Sequence, residues 1–230
     1  MIVIVANRSD RTARACATLW ARYDAAVLTA QDLSTVGWRQ HMGQLDGGTA
    51  VIEGKLVPQR EITGVLTLLP SITEGELVGI APEDRTYVAT EMTAFLLFWL
   101  SSLQCPVLNR PTAMCLSGPY WRREKWVSVA AQAGIPVQAF RRRAAPGSNA
   151  DDVDPASTIV TVAGKSVIGE ADRGLQLQAR CLAELAGVEL LSVHFSSPER
   201  DARFVTASTF PNLSDDGIAE AVLECLRACT

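Results

Sequence analysis

The chemistry this sequence can offer rests on few side chains. It has two histidines, His41 and His194, which excludes any mechanism built on a histidine cluster. His194 lies in Ser192-Val193-His194-Phe195-Ser196-Ser197, and Ser208 follows in the next apolar run. An imidazole beside a serine hydroxyl can activate it as a nucleophile when the two are hydrogen-bonded. A serine near a histidine is common, however, and an ordinary core or edge histidine is the plainer reading. Cysteines stand at 16, 105, 115, 181, 225 and 229, with no C-x-x-C pair. Cys225 and Cys229 share a helix face at i, i+4, but no further cysteine or histidine completes a familiar metal spacing. Core packing is the expected role of these thiols. Arg141-Arg142-Arg143 could grip an acidic partner through bidentate contacts, or simply form a solvated face.

Other motifs are decoys or missing. G-x-G-x-x-G, H-E-x-x-H and G-x-S-x-G do not occur. Gly164-Lys165-Ser166 imitates the end of a phosphate-binding loop, but that loop needs a glycine where Ile159 stands. The flanking residues read as two strands, so Gly164-Lys165 is expected to be a hairpin turn. Asn7-Arg8-Ser9 and Asn212-Leu213-Ser214 match the glycosylation sequon, which is irrelevant in a cytosolic chain.

The elements that must carry these residues follow from pattern and punctuation. The chain has 230 residues, 48% hydrophobic and 20% charged, a globular composition with enough length for a core. A formal charge of −4 argues against a nucleic-acid partner. The opening Met1–Ala6 is a short apolar run without a basic leader segment and reads as a strand. The longest apolar stretch, from Met92, falls short of a membrane span. No membrane partner and a cytoplasmic location are expected. A strand at 2–6, a helix capped by Asp10 that turns Ala13, Ala17 and Leu19–Trp20 inward, and a strand at 25–28 make a β-α-β start. Residues 31–48 read as loop. Hairpins are expected around Glu53-Gly54-Lys55 and Gly164-Lys165, and a long helix from Pro82-Glu83-Asp84 to about Leu103. Further helices fit Trp121–Ala133, 173–187 and Asp215–Ala228, with strands at Leu190–Phe195 and Phe204–Ala207. Arg122 and Arg123 are expected to be exposed. The Pro/Gly/Asp-rich stretch 141–157 reads as a mobile loop or linker.

One stretch carries more than composition. Tyr87-Val88-Ala89-Thr90-Glu91, an apolar helix, Pro106-Val107-Leu108-Asn109-Arg110-Pro111, Lys125 and Ala130-Ala131-Gln132-Ala133-Gly134-Ile135-Pro136-Val137 follow in an order that resembles the ATP-grasp ligases cross-linking ribosomal peptides, the graspetide or microviridin type. Gly187–Phe195 and Arg203–Pro211 resemble that family's strands bearing a metal-binding Asp and a Glu-x-Asn pair. Position by position, His194 stands for the Asp, Thr206 for the Glu and Ser208 for the Asn. Magnesium favours hard oxygen ligands, normally with one or two carboxylates, and none remains here.

The interval from Val137 to the Asp-like strand is also far shorter than in the family. The resemblance therefore implies an α/β protein: a pre-ATP-grasp-like parallel-sheet domain over 1–105, and a reduced α+β remnant of the ATP-grasp domain over 106–230. It implies no metal or nucleotide cofactor and no ligase activity. It is similar to accessory proteins of ribosomal-peptide pathways, of which crocagin biosynthesis is an example. The implied role is binding a precursor (leader) peptide, with Arg141–Arg143 as contacts, alongside pathway enzymes. A homodimer is expected separately, with the apolar helix 92–103 helping to form its face, although burial in the chain's own core explains that helix as well. A hydrolase using His194 with a nearby serine such as Ser208 is the alternative.

Overall fold

The computed structural model describes residues 1–41, 47–138 and 157–228. The chain divides into two compact units, Met1–Tyr120 with Asn212–Thr230, and Trp121–Pro211.

The first unit is built on a parallel sheet. β1 (Ile2–Val5) is a run of β-branched residues buried on both faces, as a central parallel strand requires. Asp10 then caps α1 (Arg11–Leu19), its carboxylate accepting the Ala13 N–H at 2.9 Å. Ala13, Cys16 and Trp20 are buried, whereas Leu19 is 56% exposed. The buried stripe runs through positions 13, 16 and 20, and Leu19 lies outside it, so that side chain points outward rather than to the core as expected. β2 (Ala25–Leu28) follows. Within the expected loop, Ala30–Leu33 forms a single helical turn, α2, because Asp32 closes a capping box with Thr29. β3 (Thr49–Ile52) and β4 (Lys55–Pro58) make the expected hairpin. β5 (Gly64–Thr67), the long α3 (Arg85–Ser102) and the short β6 (Val107–Leu108) complete a sheet of order β2-β1-β5-β6.

Val3, Val5 and Val65 share one core with Leu96, Trp99 and Leu100 of α3. Gly64, of the opposite parity, lets Leu226 of the C-terminal helix approach: a Cβ there would sit 3.1 Å from the Leu226 Cβ. That contact returns the end of the chain to the first unit.

The second unit begins with α4 (Arg123–Gln132). β7 (Thr158–Ala163) and β8 (Ser166–Ile168) form a hairpin at Gly164-Lys165, so this motif is a turn and not a phosphate loop. α5 (Arg173–Ala186) is amphipathic and stops at Gly187, which adopts the left-handed conformation (φ 65°) open to glycine. β9 (Leu190–Phe195) and β10 (Phe204–Ser208) give an antiparallel sheet of order β10-β9-β7-β8. α6 (Asp216–Arg227), capped by Asp215, belongs to the first unit.

The division differs from the expected boundary at 105/106. Residues 106–120 stay with the first unit because β6 pairs with β5 and the Leu116 N–H donates to Pro70 O at 2.9 Å. The expected loop at 141–157 lies, except for Ser157, outside the described residues, as does Cys229. Among the described residues, no helix is long and apolar enough to cross a membrane.

Candidate functional site

The residues singled out by sequence meet on one face of the second sheet. On β9, Leu191, Val193 and Phe195 point into a core shared with Leu175, Ala179 and Leu182 of α5. Strand alternation puts Ser192 and His194 on the other face. β7 lies on one side of β9, with Ile159 opposite His194 and Thr161 opposite Ser192. β10 lies on the other, with Thr206 opposite His194 and Ser208 opposite Ser192.

This convergence depends on an irregularity that the sequence pattern does not announce. Phe204 pairs with Phe195, and both belong to the core. An unbroken ladder would then place Val205 opposite His194. Instead the register slips by one residue, and Thr206 takes that place. The slip is a β-bulge at Val205, and it turns Thr206 and Ser208 from the core face to the face of His194. Arg123 holds the bulge, its Nε donating to Val205 O at 3.1 Å. Arg123 is thus half-buried and engaged rather than exposed.

The electrostatics of this face are those of neutral groups. Thr161 and Ser192, 1% and 4% exposed, share a hydroxyl–hydroxyl hydrogen bond of 2.9 Å. The Ser208 hydroxyl accepts the Phe210 N–H at 3.1 Å. His194 is half-buried, and its Nδ1 is buried with no hydrogen-bond partner. Desolvation holds its pKa below the usual histidine value, so the ring is a neutral imidazole near pH 7. Two neighbouring serines accept backbone N–H groups. Ser196 accepts the Arg203 N–H at 3.0 Å and Ser197 accepts the Glu199 N–H at 3.4 Å. Among the described residues, no serine is hydrogen-bonded to His194.

A magnesium–nucleotide does not fit this donor set. The face offers an imidazole, two hydroxyls bonded to each other, one hydroxyl bonded to the backbone, and Thr206. Among the described residues it has no carboxylate to offset a divalent charge. Among the described residues, no group of three or more His, Cys, Asp or Glu side chains gathers anywhere as a metal site. Arg141, Arg142 and Arg143 lie outside the described residues.

No protein-family model matches the chain, and no curated protein matches it. Solved structures do. The macrocyclase MdnC from Microcystis aeruginosa MRC, bound with precursor peptide MdnA, superposes with a TM-score of 0.67 at 11% identity, covering 97% of this chain and 99% of that one. The chain has an ATP-grasp-like fold. A RiPP-associated ATP-grasp ligase from Chryseobacterium gregarium, in complex with ADP and a leader and core peptide, gives a TM-score of 0.68 at 11% identity over 100% and 97% of the two chains. A RimK domain ATP-grasp protein from Sphaerobacter thermophilus DSM 20745 gives 0.50 at 15% identity over 100% and 99%. At these identities the likeness is one of fold. The ATP-grasp-like architecture accounts for the mixed sheets, parallel in the first unit and antiparallel in the second.

Proposed function

We propose that this ATP-grasp-like protein binds a ribosomal precursor peptide through its leader without ligating it, and so assists modification by partner enzymes. The observation that carries the reading is the neutral face of β9 and β10. His194, Thr206 and Ser208 stand together where the resemblance expects three magnesium ligands, and no carboxylate is among them. Phosphoryl transfer depends on metal and preorganised charge to stabilise its transition state. Between Val137 and Leu190 the described residues supply one hairpin and one helix, little material to enclose a nucleotide. Support for the ligand comes from the fold neighbours, since two of the three named above were solved with precursor, leader or core peptides. Arg141, Arg142 and Arg143 are the proposed contacts to an acidic leader. Self-association as a homodimer belongs to the same reading and is read by light scattering.

The test is isothermal titration of the full chain with candidate leader peptides from its gene neighbourhood, together with an ATPase assay in magnesium. Saturable peptide binding without ATP turnover supports the proposal. Magnesium-dependent ATP consumption, or no peptide binding at high micromolar concentration, overturns it. Mass spectrometry of the same mixture reads the hydrolase alternative, through a defined cleavage lost in His194→Ala.

A further inference from the structure

The first unit has a groove of about 710 Å³ along α3, far in sequence from the β9–β10 face. It is concave because its walls carry small side chains. Ala89 and Ala94 of α3, Gly75 in the turn after β5, and Ala113 beyond β6 leave the space open, while Ile72 and Leu97 make it apolar. The groove is preformed. Thr93 accepts the Ile72 N–H at 3.1 Å and donates to Ala89 O at 2.8 Å, and Thr86 Oγ1 donates to Glu74 Oε1 at 2.5 Å. These bonds clamp the turn to the helix, so an occupant meets little ordering cost.

Large apolar side chains stand exposed beside it: Tyr87 at 69%, Phe98 at 45% and Met114 at 85%. A helix apolar on all sides is normally covered all round. Glu74 lines the groove, and the chain segment that builds most of its wall is acidic. Residues 71–98 carry Glu74, Glu76, Glu83, Asp84 and Glu91 against Arg85 alone, a net −4 equal to the formal charge of the whole chain. Arg85 is itself turned to Ile80 O at 3.0 Å.

We propose that this groove docks a segment of a partner polypeptide with apolar side chains on one face and lysine or arginine at its flanks. Apolar side chains fill the strip between Ile72 and Leu97 in the helix-in-groove manner. The flanking cations meet the acidic rim, which selects against acidic segments and speeds encounter. A second copy of this chain would bring an equally acidic rim to the same strip. The proposal does not depend on the leader-peptide reading, which concerns the second unit.

Methyl NMR of the full chain tests it with two synthetic peptides. They share one amphipathic pattern of leucine and alanine; one is flanked by lysines, the other by glutamates. The lysine-flanked peptide is expected to shift the Ile72, Ala89, Ala94 and Leu97 methyls saturably. Ala94→Trp, which fills the groove from an exposed position, abolishes the shifts without lowering Tm. The pair Glu83→Gln and Glu91→Gln weakens binding about threefold to tenfold, as expected for exposed charge contacts. No shift at millimolar peptide, equal shifts with both peptides, or the same shifts on concentrating the protein alone would each overturn the proposal, the last by making the occupant a second copy.

Discussion

Thr206 faces His194 because one extra residue, Val205, separates it from Phe204, whose own partner is Phe195. Deleting Val205 restores an unbroken ladder and exchanges the faces of everything after it. Thr206 and Ser208 then point at the core formed by Val193 and Leu191, and buried hydroxyls without partners each cost about 1–3 kcal/mol. The deletion is expected to lower stability by more than about 3 kcal/mol in urea unfolding. Arg123→Met, which leaves the bulge in place and removes the contact to Val205 O, should cost about 1 kcal/mol. Equal losses in the two variants would mean that the face does not depend on register.

The hydroxyl pair of Thr161 and Ser192 is structural. Each is the other's partner at 2.9 Å in a buried site, so removing one strands the other. Ser192→Ala should destabilise by about 1–3 kcal/mol, and adding Thr161→Val should recover part of that loss, since two apolar groups in place of a bonded pair are nearly neutral. A double-mutant cycle by chemical denaturation reads the coupling. Simple additivity of the two changes would show that the pair does not act as one unit.

The depressed pKa of His194 has a definite sign in stability. Burial disfavours the imidazolium, so the folded chain holds the proton less tightly than the unfolded chain. The unfolded state therefore binds more protons between the folded pKa and the ordinary value of 6.5. Stability from the neutral ring is complete above that value and is lost as pH falls through it, levelling off below the folded pKa. His194→Gln lacks this titration, so the wild-type-minus-variant difference in unfolding free energy should fall as pH is lowered from about 7 to about 5. A difference that stays flat, or that grows toward low pH, would contradict the burial of a neutral ring.

Local signals made much of this fold legible. Ile2–Val5, a β-branched run, and Ala25–Leu28, a short apolar run, are strands, Asp10 caps a helix through the Ala13 N–H, and Gly187 ends one through its positive φ. What pattern could not supply was non-local. The return of α6 to the first unit depends on Gly64 admitting Leu226, residues 162 positions apart in sequence. The helical turn at Ala30–Leu33 depends on Asp32, whose other oxygen takes the Gly54 N–H from the hairpin at 3.0 Å. The alignment of His194, Thr206 and Ser208 came from family resemblance, whereas the bulge that achieves it leaves no mark in hydrophobic alternation, since Phe204 and Val205 are both apolar and both buried. The α3 groove was silent for another reason: alanine, glycine and threonine shape a cavity without advertising chemistry.

The proposal that β9 and β10 carry a dismantled metal site is tested by building one there. If His194, Thr206 and Ser208 occupy positions of a former magnesium cradle, then His194→Asp, Thr206→Glu and Ser208→Asn together restore two carboxylates on directly opposed residues and an amide oxygen one pair along. Opposed residues in an antiparallel ladder have Cα atoms about 4.5–5.5 Å apart, close enough for their side chains to share one ion. Carboxylates without an ion repel each other and resist burial, so the triple variant should be less stable than the parent in chelator and should recover stability as divalent cation is added. Manganese is the convenient probe, because its free ion gives an electron paramagnetic resonance signal that binding diminishes. The variant should deplete that signal more than the parent does at equal protein concentration, and manganese should raise its Tm while leaving the parent's unchanged. A folded triple variant that binds no more manganese than the parent would show that the three positions do not converge on a common point, and the chief support for reading this face as a dismantled metal site would be gone.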